Sequence, residues 1–230
     1  SGTVIRKLSI KDMANIYLPR TDEESFLDLI ETREILEVAI VEFVVDVLPI
    51  KNDSKVLDTS CGSGGFLLYA LNKVRNQATE LYPNYKKDAR QYARWFPYWH
   101  DFAEKNLYGI EINEQISRAA KMNMIIHDDG HTNVITSDGL VSDKTIFERT
   151  ANKGFTYGTF DFIITNPPFG STIRQTEQAY LKTYQLGKKE EDWLAVKAQP
   201  ETIRENQSTE VLFIEQDYKF LKPGGFLAIV

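Results

Sequence analysis

A short motif that follows an apolar segment has the residue types needed to hold a planar amine. Asn166, Pro167, Pro168 and Phe169 come directly after the apolar run Phe160–Thr165. The amide oxygen of Asn166 and the carbonyl oxygen of Pro167 can together accept both hydrogens of an amino group. The prolines fix the backbone, and the ring of Phe169 offers a surface for stacking. The motif therefore predicts a site that positions an amino nitrogen without a strong base; the alternative is a loop that only ends a strand.

A glycine-rich segment could bind a nucleotide-like cofactor. Residues 58–66 have the sequence Asp-Thr-Ser-Cys-Gly-Ser-Gly-Gly-Phe, between a short apolar run and a helical pattern. Glycines let the backbone approach a ligand closely and turn sharply from a strand into a helix. The segment lacks the Lys-Ser/Thr ending of a P-loop and departs from G-x-G-x-x-G, which disfavours a triphosphate and weakens a dinucleotide interpretation. A tight turn without a ligand is the alternative. The cofactor contacts predicted here are Asp58, Ser60, Cys61, Gly62, Gly64, Gly65 and Phe66.

Two acidic residues follow the next two apolar runs and could bind polar groups of the same cofactor. Glu111, in the run Leu107–Ile112, is placed to accept hydrogen bonds from ribose hydroxyls. Asp138 and Gly139 follow Val134–Thr136, and the Asp138 carboxylate could accept a hydrogen bond from an adenine amino group. Taken singly, Glu111 would be interpreted as an exposed charge and Asp138 as an Asx turn. The cofactor contacts predicted here are Glu111, Ile112, Asp138 and Gly139, and Asn166 of the Asn-Pro-Pro motif is predicted to contact the cofactor as well.

The candidate residues lie at the ends of strands in an alternating pattern. Strands are predicted at 55–58, 107–112, 134–136, 160–165 and 224–230. Helices are predicted at 30–48, from Phe66 onward, at 114–126 and at 210–221, and a long polar stretch at 171–206. Alternating strands and helices predict a parallel sheet covered by helices on both faces. Because ligands bind beyond the carboxyl ends of such strands, we expect the polar turns to meet there.

The composition limits the class of protein. The 230 residues, 42% hydrophobic and 26% charged, suit one large domain or one domain with a short appendage. No apolar run approaches the roughly 18 residues of a membrane helix, and no signal-peptide pattern opens the chain, so we expect no membrane association. The single cysteine, Cys61, excludes an internal disulfide and a multi-cysteine zinc site, and a reducing cytosol is expected.

A basic, aromatic segment interrupts an otherwise acidic chain. The net charge is −6, yet residues 71–100 carry six basic and two acidic side chains. Residues 76–105 are polar and rich in tyrosine and tryptophan, and we predict an inserted helical segment there. Aromatic rings among lysines and arginines can contact nucleic acid. They can equally pack a helical hairpin on the sheet or face a partner subunit. The negative net charge of the chain favours this second interpretation over contact with nucleic acid, and both stay open.

In this order, the segments resemble those of S-adenosylmethionine-dependent, adenine-specific (N6) DNA methyltransferases, most closely the modification subunit of type I restriction–modification systems. That family has Asp-Pro-x-Cys-Gly-Ser-Gly-Gly-Phe where this chain has residues 58–66, with Thr59 in place of proline. Tyr-Gly-Ile-Glu at 108–111 is similar to its second block, and Asn-Pro-Pro-Phe at 166–169 to its catalytic block. Leu-Lys-Pro-Gly-Gly at 221–225 resembles the approach to its fifth strand. The likeness extends over about residues 40–230.

The resemblance implies a Rossmann-like α/β fold whose last two strands we expect to be missing beyond Val230. It implies a methyltransferase domain at 36–230 with a helical insertion at about 76–105, preceded by a helical or linker segment at 1–35. The segment Tyr17–Arg20 is similar to a cofactor contact of the family, but lies about twenty residues earlier in the chain.

The resemblance also implies an activity. A methyl group would pass from S-adenosyl-L-methionine to the N6 amine of an adenine flipped out of duplex DNA, with Asn166 and Pro167 holding the amine and Phe169 stacking on the base. No metal is implied. Specificity and restriction subunits would be partners, in the cytoplasm of a bacterium or archaeon. Two alternatives stay open: a methyltransferase for a protein glutamine or an RNA base, and a catalytically silent cofactor-binding subunit.

Overall fold

The structure is a computed structural model and describes residues 36, 38–127, 133–170, 172–174, 178–188, 204 and 206–230. The chain divides into two compact units, Ser1–Ile40 and Val41–Val230. The predicted segment 1–35, which includes Tyr17–Arg20, lies outside the described residues, so its separation from a catalytic domain stays a prediction. Of the helix predicted at 30–48, residues 38–47 are described and helical.

A five-stranded parallel sheet forms the centre of the second unit. The strands, in chain order, are β1 (Val56–Asp58), β2 (Leu107–Glu111), β3 (Val134–Thr136), β4 (Phe160–Thr165), β5 (Thr172–Arg174), β6 (Asn206–Ser208) and β7 (Leu221–Ile229). The sheet has the order β3-β2-β1-β4-β7, and β5 pairs with β6 in a separate antiparallel ribbon. The strand order therefore reverses between β1 and β4, which is where open parallel sheets bind their ligands.

Helices cover both faces of this sheet, as the sequence predicts. They are α1 (Gly65–Leu81), α2 (Ala89–Asn106), α3 (Glu114–Ile126), α4 (Asp143–Thr150), α5 (Gln178–Thr183) and α6 (Thr209–Phe220). Val56 and Phe162 point into one hydrophobic core, which also contains Leu67 of α1. Leu57, one position after Val56, points into a second core with Ile146 of α4, because side chains alternate across a strand. None of the described helices is long and apolar enough to cross a membrane.

Helices α1 and α2 form an antiparallel hairpin, and the segment 76–105, predicted to be a helical insertion, lies within it. The indole N–H of Trp95 donates to the Thr79 hydroxyl at 3.1 Å, and the Arg75 guanidinium lies 4.1 Å from the centre of the Trp99 ring. The ring of Tyr85 stacks on Trp95 with 4.1 Å between centroids. These aromatic rings therefore pack the hairpin together. Contact of the segment with DNA or a partner stays a prediction.

The tip of this hairpin lies away from the carboxyl edge of the sheet. Helix α1 begins directly after the turn that follows β1, and its 17 residues correspond to a length of about 25 Å. The α1–α2 connection is therefore about 25 Å from that turn. Exposed basic side chains at the tip and along the start of α2 are Lys86, Lys87, Arg90 and Arg94.

The structure corrects some predicted boundaries and adds elements that the sequence did not predict. Helix α1 continues to Leu81, beyond the predicted start of the insertion, because Val74 and Ala78 extend its buried face. Strand β7 begins at Leu221 instead of residue 224. Leu221 already pairs with Phe160 of β4, and the Lys-Pro-Gly-Gly segment is accommodated by a shift in register before Phe162 pairs with Phe226. Helix α4 falls in a stretch with no predicted element: it has eight residues and buries only Ile146, too little for a periodic pattern. Within the polar stretch 171–206, α5 and β5 are ordered elements.

The packing of β2 against the turn after β1 requires glycine at position 109. A Cβ atom there would lie 2.8 Å from Leu67 Cδ1 and 3.0 Å from Cys61 Sγ. We expect Gly109→Ala to lower the free energy of unfolding by about 1–3 kcal/mol, measured by urea denaturation. Gly65→Ala is the matched control, because nothing lies within 4 Å of a Cβ atom at that position. Equal stability of Gly109→Ala and the wild type would contradict this packing.

Candidate active site

The glycine-rich turn and the Asn-Pro-Pro motif meet at the carboxyl edge of the sheet. Strands β1 and β4 are parallel neighbours, so their carboxyl ends lie side by side. The Ser60 hydroxyl, in the turn after β1, is 2.7 Å from the Thr165 hydroxyl at the end of β4. Thr165 immediately precedes Asn166 in the chain. The two motifs are therefore held together by a hydrogen bond one residue away from Asn166.

Two glycines give the turn after β1 its shape. Gly62 and Gly64 have φ angles of +54° and +91°, in the left-handed region that favours glycine. The Gly64 amide donates to the Cys61 carbonyl at 2.8 Å, and α1 begins at the next residue.

Cys61 is buried, and burial raises the pKa of its thiol well above the usual range. The thiol is therefore neutral, which fits a small buried loop residue and does not fit a nucleophile.

Glu111 connects the end of β2 to this turn. One carboxylate oxygen accepts the Gly62 amide at 3.0 Å, and the other accepts the Asn113 amide at 2.7 Å. Glu111 is only 9% exposed. The alternative interpretation of this residue as an exposed surface charge therefore does not apply. Each carboxylate oxygen keeps a further lone pair, which could accept a hydroxyl hydrogen. The next residue, Ile112, is 67% exposed at the same edge.

Asp138 and Gly139 bring a third turn to the site. The Asp138 carboxylate accepts the Leu140 amide at 2.8 Å, which is the Asx turn that the residue types also permitted. A Cβ atom at Gly139 would lie 2.4 Å from the carbonyl oxygen of Thr59, so this position requires glycine. The turn after β3 is thereby packed directly against the turn after β1. The turns that follow β1, β2 and β3 thus converge on one place.

The start of α6 anchors the Asn-Pro-Pro motif. The Thr209 hydroxyl donates to the Pro168 carbonyl at 3.1 Å, and the Glu210 carboxylate accepts the Gly170 amide at 2.9 Å. Pro167 is buried, whereas Asn166 and Phe169 are exposed. The Asn166 side chain forms no hydrogen bond with any part of the chain that the structure describes. A rigid loop therefore presents an amide and an aromatic ring to solvent.

Two buried polar residues of α6 were missed by the sequence analysis. The Gln216 side-chain amide donates to the Gly139 and Val141 carbonyls at 2.9 and 2.7 Å, and so supports the turn that contains Asp138. Asp217 accepts the Thr59 hydroxyl at 2.7 Å. One signal was present in the sequence: Gln216 falls on the face of the helix that carries the apolar residues Leu212, Phe213 and Phe220.

Asp58, at the end of β1, has a perturbed ionisation. Burial, with a smaller contribution from the negative charge of Glu111, raises its pKa to about 7. Hydrogen bonds from the Ser60 amide and the Thr165 hydroxyl oppose the effect without cancelling it. A carboxyl group that titrates near neutral pH at the edge of a sheet is typical of a functional site.

Potential metal ligands lie elsewhere in the described part of the chain. His100, Asp101 and Glu104 of α2 can bring one ligand atom each to within 4.8 Å of one another. Both acidic residues are exposed, and Asp101 pairs with Lys105 at 3.1 Å. The absence of a metal from the reaction stays a prediction.

Comparison with known sequences assigns most of the chain to a family. The model of the family described as N-6 DNA Methylase matches residues 38–230. The chain is 32% identical over 139 residues to the type II restriction enzyme and methyltransferase RM.BcgI of Heyndrickxia coagulans, covering 60% of this chain and 18% of that protein. It is 28% identical over 134 residues to the methylase subunit of the type I restriction enzyme MjaIX of Methanocaldococcus jannaschii, covering 58% and 18%. The alignments thus extend over less than a fifth of these relatives.

Solved structures share the fold. The M protein of the type I restriction enzyme EcoKI has a TM-score of 0.51 at 20% identity, over 84% of this chain and 32% of that chain. A modification subunit from Vibrio vulnificus YJ016 has a TM-score of 0.54 at 18% identity, over 96% of this chain and 41% of that chain. The predicted α/β fold, with a parallel sheet between two layers of helices, is confirmed.

The raised pKa of Asp58 predicts a stability that falls as pH rises. Between the unfolded pKa of 3.8 and the folded value of about 7, the folded chain keeps a proton that the unfolded chain loses. Asp58 then lowers the free energy of unfolding by up to about 1.4 kcal/mol per pH unit. We expect Asp58→Asn to remove this part of the slope in urea denaturation at pH 5, 6 and 7.

The control for this measurement is Glu148→Gln, which changes an exposed carboxylate on α4 and should leave the slope unchanged. Identical slopes for Asp58→Asn and the wild type would mean that Asp58 is ionised across the whole range.

Proposed function

Because the chain belongs to the N-6 DNA methylase family, we propose that it transfers a methyl group from S-adenosyl-L-methionine to the exocyclic N6 amine of adenine in DNA. The observation that carries the proposal is the 2.7 Å hydrogen bond between Ser60 and Thr165. It ties the turn suited to the cofactor to the motif suited to the amine. A transfer between two bound groups needs both sites at one edge, at a fixed separation.

The residues at this edge fit the adenosine part of the proposed cofactor. Glu111 has lone pairs that can accept the ribose hydroxyls. Asp138, in the turn after β3, can accept a hydrogen bond from an adenine amino group. The exposed Ile112 side chain supplies an apolar surface for the base. The open space around Gly65 leaves room beside the start of α1. When bound, S-adenosyl-L-methionine supplies an electrophilic methyl group on a positively charged sulfur.

Asn166 and Pro167 supply the acceptors for the target amine. The Asn166 amide oxygen and the Pro167 carbonyl oxygen would accept the two amine hydrogens and direct the nitrogen lone pair toward the cofactor. Both acceptors also stabilise the positive charge that develops on the nitrogen during transfer. Thr209 and Glu210 hold the loop in place, so this arrangement needs little reorganisation.

Phe169 is suited to stack on the target base. This residue is 53% exposed and lies three positions after Asn166 in the chain. An adenine amine inside a duplex is out of reach, so the base must leave the stack, at a cost of a few kcal/mol. Stacking on Phe169 would offset part of this cost. The planar base also distinguishes this proposal from the modification of a protein glutamine, whose side chain has no ring to stack.

The partners remain part of the proposal. The MjaIX relative is a methylase subunit of a type I restriction enzyme, and the EcoKI M protein belongs to another. We therefore propose that this chain acts with a specificity subunit, which would supply sequence recognition, and with a restriction subunit. The chain's net charge of −6 supports a division of labour in which another subunit provides much of the DNA contact.

Removal of the Asn166 amide should slow transfer strongly while the cofactor still binds. We expect Asn166→Ala to lower kcat by about 10²–10³-fold, as for the loss of one donor or acceptor that stabilises developing charge. The affinity for S-adenosyl-L-methionine, measured by calorimetry, should change by less than about threefold, because the turns around Glu111 and Asp138 are untouched. Transfer is measured as labelled methyl incorporation into unmethylated bacterial DNA with a specificity subunit added.

The control is Asn84→Ala, an exposed asparagine in the α1–α2 connection, which should behave as the wild type. Full transfer by Asn166→Ala would contradict the assigned role, and a wild-type chain that binds the cofactor but transfers nothing would support the silent-subunit alternative.

Loss of the Phe169 ring should weaken the complex with DNA. We expect Phe169→Ala to raise the KM for DNA by about 5–100-fold, the equivalent of one base–aromatic stacking interaction. Phe169→Trp should restore most of the loss, because any aromatic ring can stack. A Trp variant as impaired as the Ala variant would argue against stacking on the base.

A further inference from the structure

Helix α6 places a carboxyl group beneath the candidate active site. Asp217 is fully buried, and one of its oxygens accepts the Thr59 hydroxyl at 2.7 Å. The other oxygen, Oδ2, is buried and has no hydrogen-bond partner within the described ranges. An apolar side chain would fill this position without the cost of removing a carboxyl group from water. The fold therefore carries a cost here that packing alone does not explain.

A chain of hydroxyl groups connects Asp217 to both halves of the site. The Thr59 hydroxyl lies 3.3 Å from the Thr165 hydroxyl, which in turn is 2.7 Å from the Ser60 hydroxyl. Ser60 lies in the cofactor turn, and Thr165 is bonded to Asn166. Four side chains from three separate elements thus form one network, in which Thr59, Thr165 and Asp217 are buried and Ser60 is half-buried. Thr59 stands where the resembled motif has proline, and proline would leave Asp217 without this donor.

We propose that Asp217 is a positioning residue that, through Thr59 and Thr165, fixes the separation between the cofactor turn and Asn166. It does not touch the reacting atoms. This inference rests on the proposed methyl transfer and adds to it a residue outside the motifs at the sheet edge. Because a displacement of about 1 Å can cost about 10²-fold in rate, the network acts on kcat more than on cofactor affinity.

Burial keeps Asp217 in its neutral form near pH 7. Burial and, to a smaller extent, the charge of the nearby Asp58 raise its pKa to about 8, although the hydrogen bond from Thr59 acts to lower it. Glu111 acts on Asp58 from β2, and Tyr184, after α5, has a raised pKa and stays neutral. Above about pH 8, ionisation would place a charge on the unpartnered Oδ2. Hydrating that charge requires α6 or the turn to move, which alters the separation.

The test compares Asp217→Asn, which keeps the shape and cannot ionise, with Asp217→Ala, which removes the acceptor. We expect the wild-type kcat to fall by about five- to tenfold between pH 7 and pH 9, because only about a tenth of Asp217 is neutral one unit above its pKa. Asp217→Asn should lose less than about twofold over the same range. At pH 7, Asp217→Ala should have about tenfold lower kcat, with cofactor affinity by calorimetry within about threefold of the wild type.

Thr59→Val, which removes the hydroxyl at nearly constant volume, should reproduce the loss seen with Asp217→Ala. Tyr218→Ala is the matched control, since this neighbouring residue of α6 is 75% exposed and should leave kcat unchanged. Thermal melting of each variant establishes that the protein measured is folded.

Coincident pH profiles for Asp217→Asn and the wild type would overturn the inference. So would a folded Asp217→Ala variant with wild-type kcat, because a purely structural role moves the melting temperature and not the rate. Failure of the proposed function is distinguishable, since it is the wild type at pH 7 that would then transfer no methyl group. In that case the inference, which rests on it, fails as well.

Discussion

The hydrogen bond between the Ser60 and Thr165 hydroxyls joins the two halves of the candidate site, and it depends on the parallel pairing of β1 with β4. Parallel neighbours end at the same edge of a sheet, so a turn after one strand faces the turn after the other. The strand order reverses at this pair, which leaves the crevice between them free of a crossover helix. A change in this pairing would separate the glycine-rich turn after β1 from Asn166, even if both motifs were unchanged in sequence.

Two features hold the other turns against the β1–β4 pair: glycines that allow close backbone contact, and helix α6. Glycine at positions 109 and 139 lets β2 and the turn after β3 contact the β1 turn without a side chain between them. Helix α6 then supports all three regions of the site. Its first residues hold the Asn-Pro-Pro loop, Gln216 holds the turn after β3, and Asp217 holds Thr59. The site is therefore organised from beneath by a helix that bears none of the recognised motifs.

The sequence predicted the bounds of those elements that turn-forming or helix-capping residues delimit. The bounds of β3, β4 and α3 agree with the structure, because Asp-Gly and Asn-Pro-Pro end the two apolar runs and Asn113 caps the helix. Residues at strand ends could be predicted because parallel topology brings such ends together. The contact of Thr59 with Asp217 could not, since 158 positions separate the two residues and no local pattern joins them. The same holds for Gln216, whose partners lie in other elements.

Methyl transfer at this site requires a methyl donor lying across the glycine-rich turn, with its reactive group directed at Asn166. A crystal structure of this chain with S-adenosylhomocysteine, the product of the donor, tests this most directly. We predict a ribose hydrogen-bonded to Glu111, an adenine between Ile112 and Asp138, and a sulfur facing the amide of Asn166. A ligand bound at the amino edge of the sheet, or with its sulfur directed away from Asn166, would contradict the account.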